Sequence, residues 1–67
     1  MYNVLIGSKE TMEAVAKRGV KALNPKTMKW QIINKDAKYE VVDDGVGATL
    51  KSNIDLVTEA EKKGLII

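Results

Sequence analysis

Covalent or acid–base chemistry in this chain of 67 residues would have to rest on Asp, Glu, Lys, Ser, Thr or Tyr, because it contains neither Cys nor His. The lack of His removes the commonest general base and metal ligand. The lack of Cys removes disulfides, thiolate nucleophiles and Cys-type zinc sites. Three constellations remain to be weighed. Gly7-Ser8-Lys9 stands where a strand meets a helix, a place at which backbone N–H groups bind anions. It lacks the upstream glycine and the spacing of a phosphate-binding loop, so it reads as a turn glycine followed by a helix cap. Gly45-Val46-Gly47 begins like a dinucleotide fingerprint. The third glycine is missing and no helix follows directly, so it reads as a bulged hairpin turn. Asn34, Asp36, Glu40, Asp43 and Asp44 carry oxygen ligands suited to calcium. EF-hand spacing fails at Lys38, and two strands would hold these groups apart. No pair of reactive side chains has a diagnostic spacing, and a chain this short leaves little room for a pocket of several hundred Å³. The reading is therefore a protein that is not an enzyme, with no cofactor and no metal.

Chemistry of recognition is better represented. Lys17, Arg18 and Lys21 cluster on the exposed side of the predicted first helix, and Lys26 and Lys29 follow closely. With Trp30 and Tyr39 on a neighbouring hairpin, they make a candidate surface for phosphate contacts and base stacking. Two features weigh against nucleic acid: a net charge of only +2, and a single Arg, the usual reader of bases. The total charge conceals a division. Residues 1–38 hold eight basic and three acidic side chains, a net of +5, whereas residues 39–67 hold three basic and six acidic, a net of −3. A field polarised in this way orients partners.

These side chains must be positioned by short elements. Tyr2 to Ile6 is an apolar run that reads as a strand buried on both faces. Ser8 caps a helix over residues 9–23, in which Met12, Val15, Ala16, Gly19, Val20 and Leu23 form one stripe at helical spacing. Gly19 on that stripe implies close packing of the helix. Asn24-Pro25 ends the helix, since the residue before proline is pushed out of the α region. Met28 to Ile33 and Lys38 to Asp43 read as a hairpin joined by Asn34-Lys35-Asp36-Ala37, in a register that sets Trp30 opposite Val41 and Ile32 opposite Tyr39. Ala48 to Lys51 reads as a third short strand. Ser52 then starts a second helix through residue 63, with Asp55 completing a capping box and Gly64 as the terminating glycine. Leu65-Ile66-Ile67 forms a terminal strand if it pairs beside the first one.

Length and apolar content of 45% indicate one small domain, residues 1–67. The order β-α-β-β-(β)-α-(β) predicts an α+β two-layer sandwich. A small, mostly antiparallel sheet of three or four strands carries two helices on one face. The arrangement is ferredoxin-like if the last residues join the first strand, and otherwise a three-stranded meander flanked by helices. Either way one sheet face is left uncovered, and such a face suits a partner. A chain of this size is marginally stable alone, which favours oligomerisation. No run approaches the roughly 20 apolar residues of a membrane span, and no signal peptide is recognisable, so the expected location is the cytoplasm.

The order Trp30, Tyr39-Glu40-Val41, Gly45 resembles a short module found beside the nuclease domain of HNH homing endonucleases. The likeness covers residues 30–52 and implies DNA contact only. Val46 and Ala48 stand where that module has basic residues. The split βαβ order is also similar to ferredoxin-like metallochaperones, whose Cys pair is absent, so no metal role carries over. The first functional expectation is a non-enzymatic protein-binding module. It would be a regulator, adaptor or inhibitor acting as a homo-oligomer through Trp30, Tyr39, Val42, Asp43 and Asp44. The alternative is a nucleic-acid-binding module using Lys17, Arg18, Lys21, Lys26 and Lys29.

Overall fold

The computed structural model describes residues 1–67. Along the chain, β1 spans Tyr2–Gly7, α1 Lys9–Arg18, β2 Lys21–Asn24, β3 Lys29–Ile32, β4 Tyr39–Asp43, β5 Ala48–Ser52 and α2 Leu56–Lys63. The fold is α+β, with two helices and five strands in two antiparallel sheets. One sheet has the order β1-β5-β4, and the other is the β2–β3 hairpin.

β5 is the centre of the larger sheet, and its sequence shows why. Ala48, Leu50 and Ser52 alternate inward and are fully buried, while Thr49 and Lys51 face the other side. α1 packs across β4 and β5 on the inner face. β1 is an edge strand with a bulge between Asn3 and Leu5. It is not buried on both faces as its apolar run suggested, because the helices cover only one side. Ile6 is 80% exposed.

α1 begins as expected, with Ser8 Oγ accepting the Thr11 N–H at 3.2 Å. It ends at Gly19, not at Leu23. There φ is 96° and ψ 152°, a region that essentially only glycine occupies, and the Gly19 N–H closes the helix on the Val15 carbonyl. A Cβ at Gly19 would stand 3.2 Å from Ile32 Cδ1. The residues beyond it turn from helical to extended spacing. Val20 and Ala22 point into the core and Lys21 points out.

β2 therefore takes β3 as its partner, pairing Lys21 with Ile32 and Leu23 with Trp30. This displaces the predicted β3–β4 hairpin and its register of Trp30 against Val41. Asn24-Pro25, expected to end a helix, opens the hairpin turn instead. Asn24 Oδ1 accepts the Lys26 N–H at 3.0 Å, and its carbonyl accepts the Met28 N–H at 2.7 Å. Asn34 to Ala37 does turn, with Asn34 Oδ1 accepting the Asp36 N–H at 2.9 Å, but it links the two sheets and closes no hairpin. β4 pairs with β5 through its whole length.

Ser52, expected to cap the second helix, is the buried last residue of β5, and its Oγ accepts the Ile54 N–H at 3.2 Å. Asp55 is the cap, its carboxylate accepting the Thr58 N–H at 3.3 Å and the Thr58 hydroxyl at 2.8 Å. Gly64 adopts the left-handed conformation, and the Leu65 N–H reaches back to the Ala60 carbonyl at 2.8 Å. That geometry buries Leu65 and aims Ile66 at β2, where Leu23 and Ile66 exchange two backbone hydrogen bonds of 2.7 and 2.9 Å. The tail thus joins β2 rather than β1. With no parallel pair present, the ferredoxin-like arrangement is not formed. The core combines Met12, Val15, Val20, Ala22, Ile33, Ala48, Leu50, Leu56, Ala60 and Leu65. No helix is long and apolar enough to cross a membrane.

Candidate functional site

Opposed residues of an antiparallel pair share a sheet face. In the β2–β3 hairpin, Val20, Ala22 and Ile33 are buried, so Lys21, Leu23, Trp30 and Ile32 form the outer face. Gly19 reverses the chain just before this face, which carries the last turn of α1 alongside it. Arg18, Lys21 and Trp30 consequently line one open hollow. Lys17, Arg18, Ile32, Lys35 and Tyr39 contribute to an adjoining one of about 240 Å³. That volume falls short of the usual 300–1,000 Å³ of a small-molecule pocket, whereas the Trp30 hollow, at about 420 Å³, falls within that range but is open and lined by only three residues. Trp30 is 61% exposed and does not serve as core.

The stretch of chain that builds this face is basic. Residues 14–35 contain Lys17, Arg18, Lys21, Lys26, Lys29 and Lys35 and no carboxylate. The two ion pairs of the molecule, Lys9–Asp43 at 3.7 Å and Lys63–Glu59 at 3.1 Å, use none of these cations. Arg18 Nε donates only to the neighbouring Gly19 carbonyl, at 3.3 Å.

Of the five basic residues singled out in the sequence, Arg18 and Lys21 come together beside Trp30, and Lys17 lines the adjoining hollow with Arg18. Lys26 lies in the hairpin turn, and Lys29 pairs with Asn24 on the opposite face of the ribbon. Lys35 lines the same adjoining hollow and carries no signal of this in the sequence, where its segment reads as a polar turn.

The proposed protein-contact set is divided. Trp30 belongs to the smaller sheet, and Tyr39, Val42 and Asp43 belong to the larger. Tyr39 is half-buried, and its hydroxyl accepts the Val20 N–H at 3.0 Å, tying the α1–β2 junction to β4. Val42 lies on the outer face of the larger sheet, in a row with Thr49 and Ile6 that no helix covers. Asp43 and Asp44 build the β4–β5 turn. Asp43 Oδ1 accepts the Gly45 N–H at 2.8 Å, and Asp44 Oδ1 accepts those of Gly47 at 2.7 Å and Val46 at 3.0 Å. The bonds from Gly47 and Val46 hold the Asp44 carboxyl below its ordinary pKa. The turn carries Val46 at its apex, 99% exposed. No three acidic side chains converge as metal ligands would.

A second polar group closes the far side. Asn34 Nδ2 donates to both oxygens of Glu59 at 3.2 and 3.3 Å, and Lys63 Nζ donates to the Ile33 carbonyl at 2.7 Å. Lys63 and then Asn34 keep the Glu59 carboxyl below its usual range. This clasp fastens the β3–β4 connection to α2 and so fixes one flank of the basic face.

The chain matches no protein-family model, no curated protein and no solved structure.

Proposed function

We propose that this protein is a small, non-enzymatic nucleic-acid-binding module that works through the outer face of the β2–β3 hairpin and the end of α1. The observation that carries the reading is the position of Trp30, a solvent-exposed indole flanked by Arg18 and Lys21 in a stretch free of carboxylates. An exposed indole offers a stacking surface, and unpaired cations beside it offer phosphate contacts. Lys17 and Lys35 extend the positive face past the hollow at Ile32 and Tyr39. The modest total charge of +2 matters less than its distribution, since ligand is attracted by the local field.

The reading predicts binding of a labelled oligonucleotide that weakens as salt rises, because each neutralised phosphate releases a counterion. Reversing three charges at once, Lys17→Glu, Arg18→Glu and Lys21→Glu, should abolish it in a fluorescence-anisotropy titration. All three side chains are exposed, so the fold should survive the change. Unchanged affinity in that variant would remove this face from consideration.

A second reading is supported by a different surface. Ile6, Val42 and Thr49 lie in a row on the bare side of the larger sheet, with Val46 at the adjoining turn. This suits a protein-binding module that pairs with a copy of itself, a regulator, adaptor or inhibitor.

A further inference from the structure

Resting on the nucleic-acid reading above, we infer that the ligand is single-stranded, with a base stacked on Trp30 and its flanking phosphates held by Arg18 and Lys21. Three features lead to this occupant. The first is the platform itself. Leu23 spends its N–H and its C=O on Ile66, so Leu23 and Trp30 form a pair without hydrogen bonds between them, the type whose side chains approach most closely. Trp30 therefore stands on a regular strand beside an apolar neighbour, and it is not carried on a mobile loop tip. A fixed, exposed indole gains most from a ligand with an exposed ring face. In a duplex both faces of each base are covered by neighbours, whereas a single strand presents them.

The second feature is α1, the element a duplex reader would place in the major groove. It has only ten residues, and its first half exposes Glu10 and Glu13. These carboxylates face the phosphate rows that a groove-bound helix must pass between. The cations of α1 in its last turn, Lys17 and Arg18, sit at the end nearest the hairpin. The third feature is scale. Arg18 and Lys21 share the hollow of Trp30, and Lys17 and Lys35 line the adjoining one with Tyr39, a set of four cations that fits a short stretch of backbone.

Trp30 is the only tryptophan, so intrinsic fluorescence at its emission band reports this residue alone. The experiment titrates the full chain with a mixed-sequence DNA oligonucleotide of about 16 nucleotides, the upper end of site sizes for small single-strand binders. The same strand annealed to its complement is titrated at equal salt. Single-stranded DNA should quench the indole and bind at least about tenfold more tightly than the duplex, the margin expected if stacking is available only to unpaired bases. Read by fluorescence anisotropy of the labelled oligonucleotide, since these variants lack the indole, Trp30→Ala should weaken single-strand binding roughly 5- to 150-fold, the range for loss of one stacked base, and Trp30→Phe should restore most of it. Circular dichroism of the variants reports that the fold is kept. Equal or tighter duplex binding, or unchanged affinity in Trp30→Ala, would overturn the inference while leaving the nucleic-acid reading in place. Binding of neither form at low salt would overturn both.

Discussion

Gly19 is a single residue on which the site depends. Its positive φ ends α1 five residues earlier than the apolar spacing suggested, and everything after it becomes strand. Gly19→Ala should cost about 1–3 kcal/mol, from a backbone conformation that an L residue avoids together with a Cβ pressed on Ile32. A urea titration monitored by circular dichroism measures it, and an unchanged midpoint would show that the junction relaxes freely. The sequence placed Gly19 in a helix because Val20 and Leu23 satisfy helical spacing. Val20 and Ala22 satisfy strand spacing equally well, and periodicity does not separate the two over so few residues. The basic residues near Trp30 were legible because they are close in sequence. That Trp30 stands exposed beside Arg18 was not, since it follows from the reversal at Gly19 and from which strand β3 chooses.

At the level of elements, the sequence marks Asn34-Ala37 and Asp43-Gly47 as turns, whereas Asn24-Pro25 reads there as the end of a helix. Asn24-Pro25, Asn34-Ala37 and Asp43-Gly47 all carry turn chemistry, and all three segments turn. Local signals cannot say that the first closes a hairpin and the second only crosses between sheets. The β4–β5 turn makes the clearest pH prediction. The folded Asp44 carboxyl has a lowered pKa, so its contribution to stability is complete above the unfolded value and is lost as pH falls through the folded one. Asp44→Asn should therefore lower Tm at neutral pH and flatten the fall of Tm between about pH 6 and about pH 2. Thermal melts across that range test this, and parallel curves for the two proteins would rule it out. The Glu59 clasp acts with the same sign, so some acid sensitivity persists in the variant.

The whole molecule combines a basic N-terminal part with an acidic C-terminal part and leaves one side of its larger sheet bare. Self-association through that side predicts a mass near twice 7.4 kDa by light scattering on a size-exclusion column. Ile6→Lys with Val42→Lys should return the protein to a monomer, since both side chains face solvent in one chain. A parent protein that is monomeric at low and at high salt would dismiss the homo-oligomer reading. The α+β class, both helices and the uncovered face were legible because they depend on local periodicity and on a shortage of helices. The sheet order was not, because β1 finds its neighbour only in β5. That long-range pairing has a consequence for biosynthesis. A ribosome releases β1 early, and the strand stays single until translation has reached Ala48–Ser52. Its run of Val4, Leu5 and Ile6 is meanwhile available to other nascent chains, so slower growth or a holdase chaperone should raise soluble yield more than any change at the hairpin.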